Sequence, residues 1–173
     1  MKNIFLIGMP SSGKSTLGKR MADALHYHFV DTDRLIVRAE GRSIAAIFAR
    51  DGEAYFREAE RRVLRTIRPG SSFVVSTGGG MPCFHDNMAY INQTGVSVFL
   101  DVPVEVLVRR ITAHAQHRPG EPDRPLYDPN DPQLLHSLRQ RYVARLPFYS
   151  QAHITVRGET NEEEILRQVG EWL

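Results

Sequence analysis

The chain has 173 residues, 42% hydrophobic and 24% charged, with 22 basic and 20 acidic side chains and a net charge of +2. This is enough apolar material for a real core, and the charge is too balanced to argue for a nucleic-acid partner. One cysteine, Cys83, excludes an internal disulfide and a cysteine-rich metal site. Apolar runs fall far short of the ~20 residues that cross a bilayer, and an apolar strand beginning at residue 3 leaves no signal peptide. The expectation is one domain over residues 1–173, cytoplasmic, with no membrane or nucleic-acid partner.

The first strand, residues 3–7, runs into Gly8-Met9-Pro10-Ser11-Ser12-Gly13-Lys14-Ser15, a match to G-x-x-x-x-G-K-[ST]. A helix pattern over 14–26 follows. Strand, glycine loop and helix together make a phosphate cradle. The glycines let backbone N–H groups turn toward an anion, and the helix aims its positive end at the same point. Lys14 can reach the β- and γ-phosphates, and the Ser15 hydroxyl can ligate Mg²⁺. Lys14 is one of only three lysines against 19 arginines, which makes its place in the motif hard to assign to chance.

A second strand at 29–31 ends in Asp31-Thr32-Asp33. Ligands of open α/β sheets bind at the carboxyl ends of strands. If the strand continued, both carboxylates would share a face, one serving a metal shell and the other an acceptor. Alternatively, Asp33 caps the next helix. Helix patterns follow over 32–39, 43–50 and 53–68, the last with Phe56, Ala59, Val63 and Ile67 on one stripe. On spacing alone, Arg57 reads as a surface partner of Glu53 and Glu60.

The third strand, 73–76, opens into Ser76-Thr77-Gly78-Gly79-Gly80, a run that lets backbone approach a ligand or simply makes a tight turn. A helix over 84–93 and a strand over 96–100 come next. Asp101, before Val102-Pro103, reads as a helix-start residue. The helix 103–113 ends in Arg109-Arg110, which suit either a stacked base or the helix dipole. Residues 114–131, with prolines at 119, 122, 125 and 129, break the periodicity and read as a lid or a surface loop. A helix over 131–146 ends at Arg145-Leu146-Pro147-Phe148-Tyr149, where Arg145 also suits the negative end of the dipole. A fifth strand, 153–156, and a helix over 160–173 with the capping box Thr160-Asn161-Glu162-Glu163 close the chain. Strands alternating with helices mean a parallel sheet covered on both faces.

In this order and at these spacings, the loop at 8–15, Asp31-Thr32-Asp33, Phe56-Arg57 with Glu60, Gly78-Gly79-Gly80, Arg124-Pro125-Leu126 and Arg145 with Tyr149 resemble the shikimate kinase family over nearly the whole chain. The resemblance implies a three-layer αβα sandwich of the P-loop NTPase type. Its five parallel strands would run in the order 2-3-1-4-5, with acceptor-binding helices near 32–62 and a mobile lid near 112–127. It implies transfer of the γ-phosphoryl of ATP to the 3-hydroxyl of shikimate, in the chorismate route to aromatic amino acids, by a monomer with Mg²⁺.

The resemblance also implies the site. Lys14, Asp33 and Arg124 would be catalytic. Gly8, Ser11, Ser12, Gly13, Lys14, Ser15, Thr16, Arg110, Arg124 and Arg157 would bind ATP. Asp33, Phe48, Phe56, Arg57, Gly78, Gly79, Gly80 and Arg145 would bind the acceptor, with Arg57 and Arg145 clamping its carboxylate. Ser15, and Asp31 through water, would serve the metal. Leu126 selects Arg124 over Arg118 as the lid arginine. No Asp-ended strand stands third, where residues 73–76 lead into the glycines. The alternatives are a kinase of this fold acting on gluconate or a nucleoside monophosphate, and a nucleotide switch. A GTP switch would want an Asn-Lys-x-Asp base reader, and no Asn-Lys pair occurs.

Overall fold

Five short apolar runs become five parallel strands, seen in a computed structural model that describes residues 1–117, 127–158 and 161–173. The strands are β1 (Asn3–Ile7), β2 (His28–Asp31), β3 (Phe73–Ser76), β4 (Gly95–Asp101) and β5 (Ile154–Arg157). The sheet order is β2-β3-β1-β4-β5. Phe5 of β1 stands opposite Val75 of β3 and Ser97 of β4. Because β1 has β3 on one side and β4 on the other, a crevice opens past its carboxyl end, the usual ligand position in such sheets.

The helices are α1 (Lys14–Leu25), α2 (Thr32–Glu40), α3 (Ile44–Thr66), α4 (Asn87–Thr94), α5 (Val104–His117), α6 (Leu134–Tyr149) and α7 (Glu162–Gly170). Strand alternation divides the core between two faces. Phe5, Ile7, Val75 and Phe99 pack with Leu64 of α3, Leu107 of α5 and Leu138 of α6. Ile4, Leu6, Val74 and Val98 pack with Met21 of α1 and Ile165 of α7. A smaller cluster of Ile36, Ile47, Phe56, Ala59 and Val63 joins α2 to α3, which gives these helices a core of their own beside the sheet.

Several boundaries move from their sequence expectations for local reasons. The two helices expected at 43–50 and 53–68 are one element interrupted at Gly52, whose φ of 79° leaves the helical region. The helix expected from 84 is preceded by a 3-10 turn at Met81–Cys83 containing Pro82, and regular α-helix begins only at Asn87. Helix α5 continues to His117, past the expected break at 114. Helix α6 starts and ends three residues later than expected, with Pro147 in its last turn, where the missing N–H removes only one helical bond.

Caps also differ. Asp31, not Asp33, caps α2, its side chain accepting from the Asp33 and Arg34 N–H groups. The strand stops at Asp31, so the two carboxylates do not share a strand face. The cap of α7 is Asn161, which accepts from the Glu164 N–H at 2.8 Å. Asp101 ends β4 but does not start α5: the Val106 and Leu107 N–H groups go to the Pro103 carbonyl, while Asp101 accepts from the Tyr142 hydroxyl at 2.9 Å. Among the described residues, no helix is long and apolar enough to cross a membrane.

Candidate active site

The donor side is mostly backbone. Past Ile7 the chain turns through Gly8 (φ 145°), Ser11 (φ 62°) and Gly13 (φ 96°), conformations that L side chains rarely adopt. At Gly8 the close approach is real as well, since a Cβ there would lie 2.8 Å from the Leu100 carbonyl oxygen. Gly13 caps α1 with no side-chain hydrogen bond, so the first-turn N–H groups have no side-chain acceptor at the cap and face the loop. Ser12 is buried beside them, and Thr16 lies exposed in the first turn of α1.

Lys14 is buried, and its ammonium donates to the carbonyls of Gly8 (2.9 Å) and Met9 (2.8 Å) and to Ser12 Oγ (3.4 Å). The loop's own carbonyls thus hold the cation in the cradle. Arg110 crosses from α5 and donates to the Ser11 carbonyl at 3.1 Å, which lays its guanidinium on the rim. Arg157, at the end of β5, stands with its Nε 3.6 Å from Asp101. The Ser15 hydroxyl lies 3.4 Å from Asp31 Oδ2 and 3.2 Å from Ser76 Oγ. Three oxygens from three elements meet there, the donor chemistry that a hard divalent cation takes.

The acceptor side is built on Gly78-Gly79-Gly80, and each glycine faces a different charged group. A Cβ on Gly78 would come within 3.0 Å of Asp33 Oδ1 and 2.9 Å of Glu60 Oε2. On Gly79 it would meet Arg145 Nη1 and Pro10 Cδ, each at 3.0 Å. On Gly80 it would overlap the Arg57 guanidinium, 2.5 Å from Nη1. The tight-turn reading of the run is therefore incomplete: side-chain volume at these positions belongs to the charged groups. Thr32 fixes the run to α2, accepting from the Gly78 N–H at 3.0 Å.

Arg57 makes both expected helix pairs, Nη1 to Glu60 at 2.6 Å and Nη2 to Glu53 at 3.2 Å. It is not a surface residue, however. Only 5% of it is exposed, and its guanidinium stacks 4.1 Å from the Phe84 ring centroid. Phe48 and Phe56 pack together beside it, with centroids 4.7 Å apart. Arg145 is also buried, one turn before the end of α6, with Nη1 3.9 Å from Met9 Sδ. Helix-end electrostatics does not explain a guanidinium turned into the core. Glu60 is 1% exposed, and its burial pushes its carboxyl up to about 7 even though Arg57 acts in the opposite direction.

The structure thus gathers Asp33, Arg57, Arg145 and the glycines at one end of the phosphate loop, with Arg110 and Arg157 toward the other side of β1. Arg118 and Arg124 lie outside the described residues. Sequence reasoning gave Glu60 no role beyond pairing with Arg57. Its signal was available: 56, 59, 60 and 63 fall on one apolar stripe, so a carboxylate at 60 had to be buried. Tyr149, Thr32 and Ser76 carried no comparable mark.

The shikimate kinase family model matches residues 10–173. A shikimate kinase of Clostridium botulinum (strain 657 / Type Ba4) is 43% identical over 166 residues, covering 96% of this chain and 92% of that protein. One of Bacteroides fragilis is 42% identical over 153 residues, covering 88% and 83%. Among solved structures, the shikimate kinase of Bacteroides thetaiotaomicron superimposes with a TM-score of 0.83 at 34% identity, covering 99% of this chain and 97% of that one. That of Acinetobacter baumannii, solved in complex with shikimate, gives 0.81 at 29% identity, covering 99% and 92%. The described fold and these matches agree, and the chain belongs to the shikimate kinase family.

Proposed function

We propose that this chain transfers the γ-phosphoryl of ATP to the 3-hydroxyl of shikimate, giving shikimate 3-phosphate and ADP. The observation that carries the reading is the triple approach to the glycine run, with Asp33 at Gly78, Arg145 at Gly79 and Arg57 at Gly80. One carboxylate and two guanidiniums suit a small acid that carries both a carboxylate and hydroxyls. In this reading Arg57 and Arg145 hold the carboxylate, and Phe48 and Phe56 bound the ring. Asp33 accepts the proton of the attacking hydroxyl as its oxygen bonds to the γ-phosphorus, and the bond to the β,γ-bridging oxygen breaks to release ADP.

Lys14 neutralises charge on the β- and γ-phosphates, and the α1 N–H groups with Ser12, Ser15 and Thr16 hold their oxygens. Arg110 and Arg157 face the nucleoside side, and Arg124 supplies the closing cation. Mg²⁺ would be held by Ser15, with Asp31 behind it, and would neutralise phosphate charge. Monomeric action in the cytoplasm belongs to the same proposal. The test is ADP release from ATP and Mg²⁺ with shikimate, gluconate or AMP as acceptor. Stimulation by shikimate alone is expected; equal or greater stimulation by gluconate or AMP overturns the acceptor.

A further inference from the structure

Tyr149 is fully buried, and the proposed chemistry leaves it unused. Its ring packs on Phe99 of β4, with centroids 4.9 Å apart. Its hydroxyl lies where three parts of the site meet. It donates to the Gly79 carbonyl at 2.5 Å and stands 3.9 Å from Met9 Sδ in the phosphate loop, one helical turn along α6 from Arg145, whose Nη1 would lie 3.0 Å from a Cβ on Gly79. Arg145 Nη1 reaches the same Met9 sulfur at 3.9 Å. A phenol has a single proton to donate, and a carbonyl is a far better acceptor than a thioether. The proton therefore goes to Gly79, and the Tyr149 hydroxyl and the Arg145 guanidinium converge on the same two residues, Gly79 and Met9. Burial raises the phenol's pKa well above its ordinary value, so the hydroxyl remains a donor at every working pH.

We propose that Tyr149 is a positioning residue that fixes the Arg145 guanidinium and the Gly79 carbonyl to each other and to Met9 of the phosphate loop, and so registers the acceptor's carboxylate against the donor phosphates. Core packing alone needs only the ring on Phe99, which phenylalanine would supply. The hydroxyl adds a fixed Gly79 carbonyl beside Arg145, whose Nη1 also faces the weakly accepting Met9 sulfur. Misplacement of a clamping group by a fraction of an ångström is enough to lower the rate of a reaction governed by positioning. The proposal rests on the reading of shikimate as acceptor.

The test is Tyr149→Phe in the full chain, with kinetics on shikimate, on its methyl ester, and in the Arg145→Ala background. With shikimate, kcat/KM is expected to fall about tenfold while the KM for ATP stays within about twofold. The penalty should vanish with the ester, which offers Arg145 no carboxylate, and in Arg145→Ala. A penalty of equal size with the ester or in Arg145→Ala, an equal rise in the KM for ATP, or wild-type kinetics overturns the proposal. If Tyr149→Phe does not fold, Met9→Leu removes the shared sulfur with Tyr149 in place. It must then lower shikimate kcat/KM by about threefold and by more than it raises the KM for ATP, and no change, or a rise in the KM for ATP at least as large, overturns the proposal. Failure of shikimate to stimulate the unmodified chain would sink the acceptor reading instead, so the two failures are distinguishable.

Discussion

The phosphate cradle and the floor of the acceptor pocket share one sheet edge, yet they are built in opposite ways. The cradle is eight consecutive residues turned by their own backbone, and its lysine is pinned by carbonyls of the same loop. The floor takes Asp33 from α2, Arg57 and Glu60 from α3, the glycines after β3 and Arg145 from α6. A contiguous backbone device carries its own geometry and tolerates change in its surroundings. A pocket of buried charges depends on every partner, because removing one leaves another unpaired in low dielectric. Mutations on the two sides should therefore differ in what they damage.

The largest effect is expected on the donor side. Lys14→Ala should lower kcat by roughly a thousandfold or more, because the transferring phosphoryl loses its fixed cation. Circular dichroism should stay near wild type, because the turns at Gly8 and Gly13 set the loop, while melting falls modestly as the Gly8 and Met9 carbonyls lose their buried donor. Turnover within tenfold of wild type would mean that the cradle does not hold the reacting phosphates.

On the acceptor side, Arg57→Ala should cost roughly a hundredfold or more in kcat/KM for shikimate, with the KM for ATP within about threefold. It should also destabilise the fold by about 3 kcal/mol, because Glu60 is left buried without its cation. Gly80→Ala reaches the same guanidinium by another route, placing a methyl 2.5 Å from Arg57 Nη1. It should reproduce the acceptor defect at roughly tenfold to a hundredfold. Equal damage to both substrates in either variant would move Arg57 from the acceptor to the scaffold.

This contrast also explains what was legible beforehand. The strands and the cradle could be read because each is local: apolar runs of strand length, a glycine loop of fixed spacing, and helices between; the order of the strands in the sheet came only with the resemblance to a family. Arg57 could not be read locally, because Glu53 and Glu60 at helix spacing gave it a complete surface explanation. Only the resemblance to a family placed it in the pocket, and its burial between Phe84 and Gly80 is tertiary information. Asp31 shows the converse. Its Oδ1 caps α2, the part the sequence offered Asp33 as an alternative, while its Oδ2 turns to Ser15. Tyr149 was marked only as the partner of Arg145 in the family resemblance, since nothing in a sequence says which backbone carbonyl a phenol will find.

Glu60 gives the comparison a pH axis. Its carboxyl titrates at about 7 in the folded chain, against an ordinary value of 4.5. Between those pH values the native state holds a proton that the unfolded chain has released. Stability from this group is therefore full below about pH 4.5, falls as pH rises toward 7, and is level above. The loss is on the order of 3 kcal/mol, or roughly 6–12 °C in melting temperature at this chain length. Glu60→Gln, which keeps an acceptor for Arg57 and cannot ionise, should flatten the change between pH 5 and 7.5. The same slope in the variant would place the titrating group elsewhere.

The smallest effect should come from the cradle's rim. Arg110 makes one hydrogen bond to the Ser11 carbonyl at 3.1 Å, from a side chain exposed to solvent. The loop keeps its shape without that bond, because Gly8 and Gly13 set its turns and Lys14 ties its carbonyls. In the proposed reading Arg110 adds a flat cation beside the nucleoside, worth about 0.5–1 kcal/mol at an exposed site if it stacks on a base. Arg110→Ala should therefore raise the KM for ATP by roughly threefold to fivefold and leave kcat and the KM for shikimate unchanged. Arg110→Lys separates charge from shape. If lysine restores the wild-type KM, the guanidinium acts as a charge near the phosphates; if it behaves like alanine, the planar group is stacked on the base. A fall in kcat with either variant would put Arg110 among the groups that act on the transferring phosphoryl, and the division between a backbone-built donor side and a side-chain-built acceptor side would have to be redrawn.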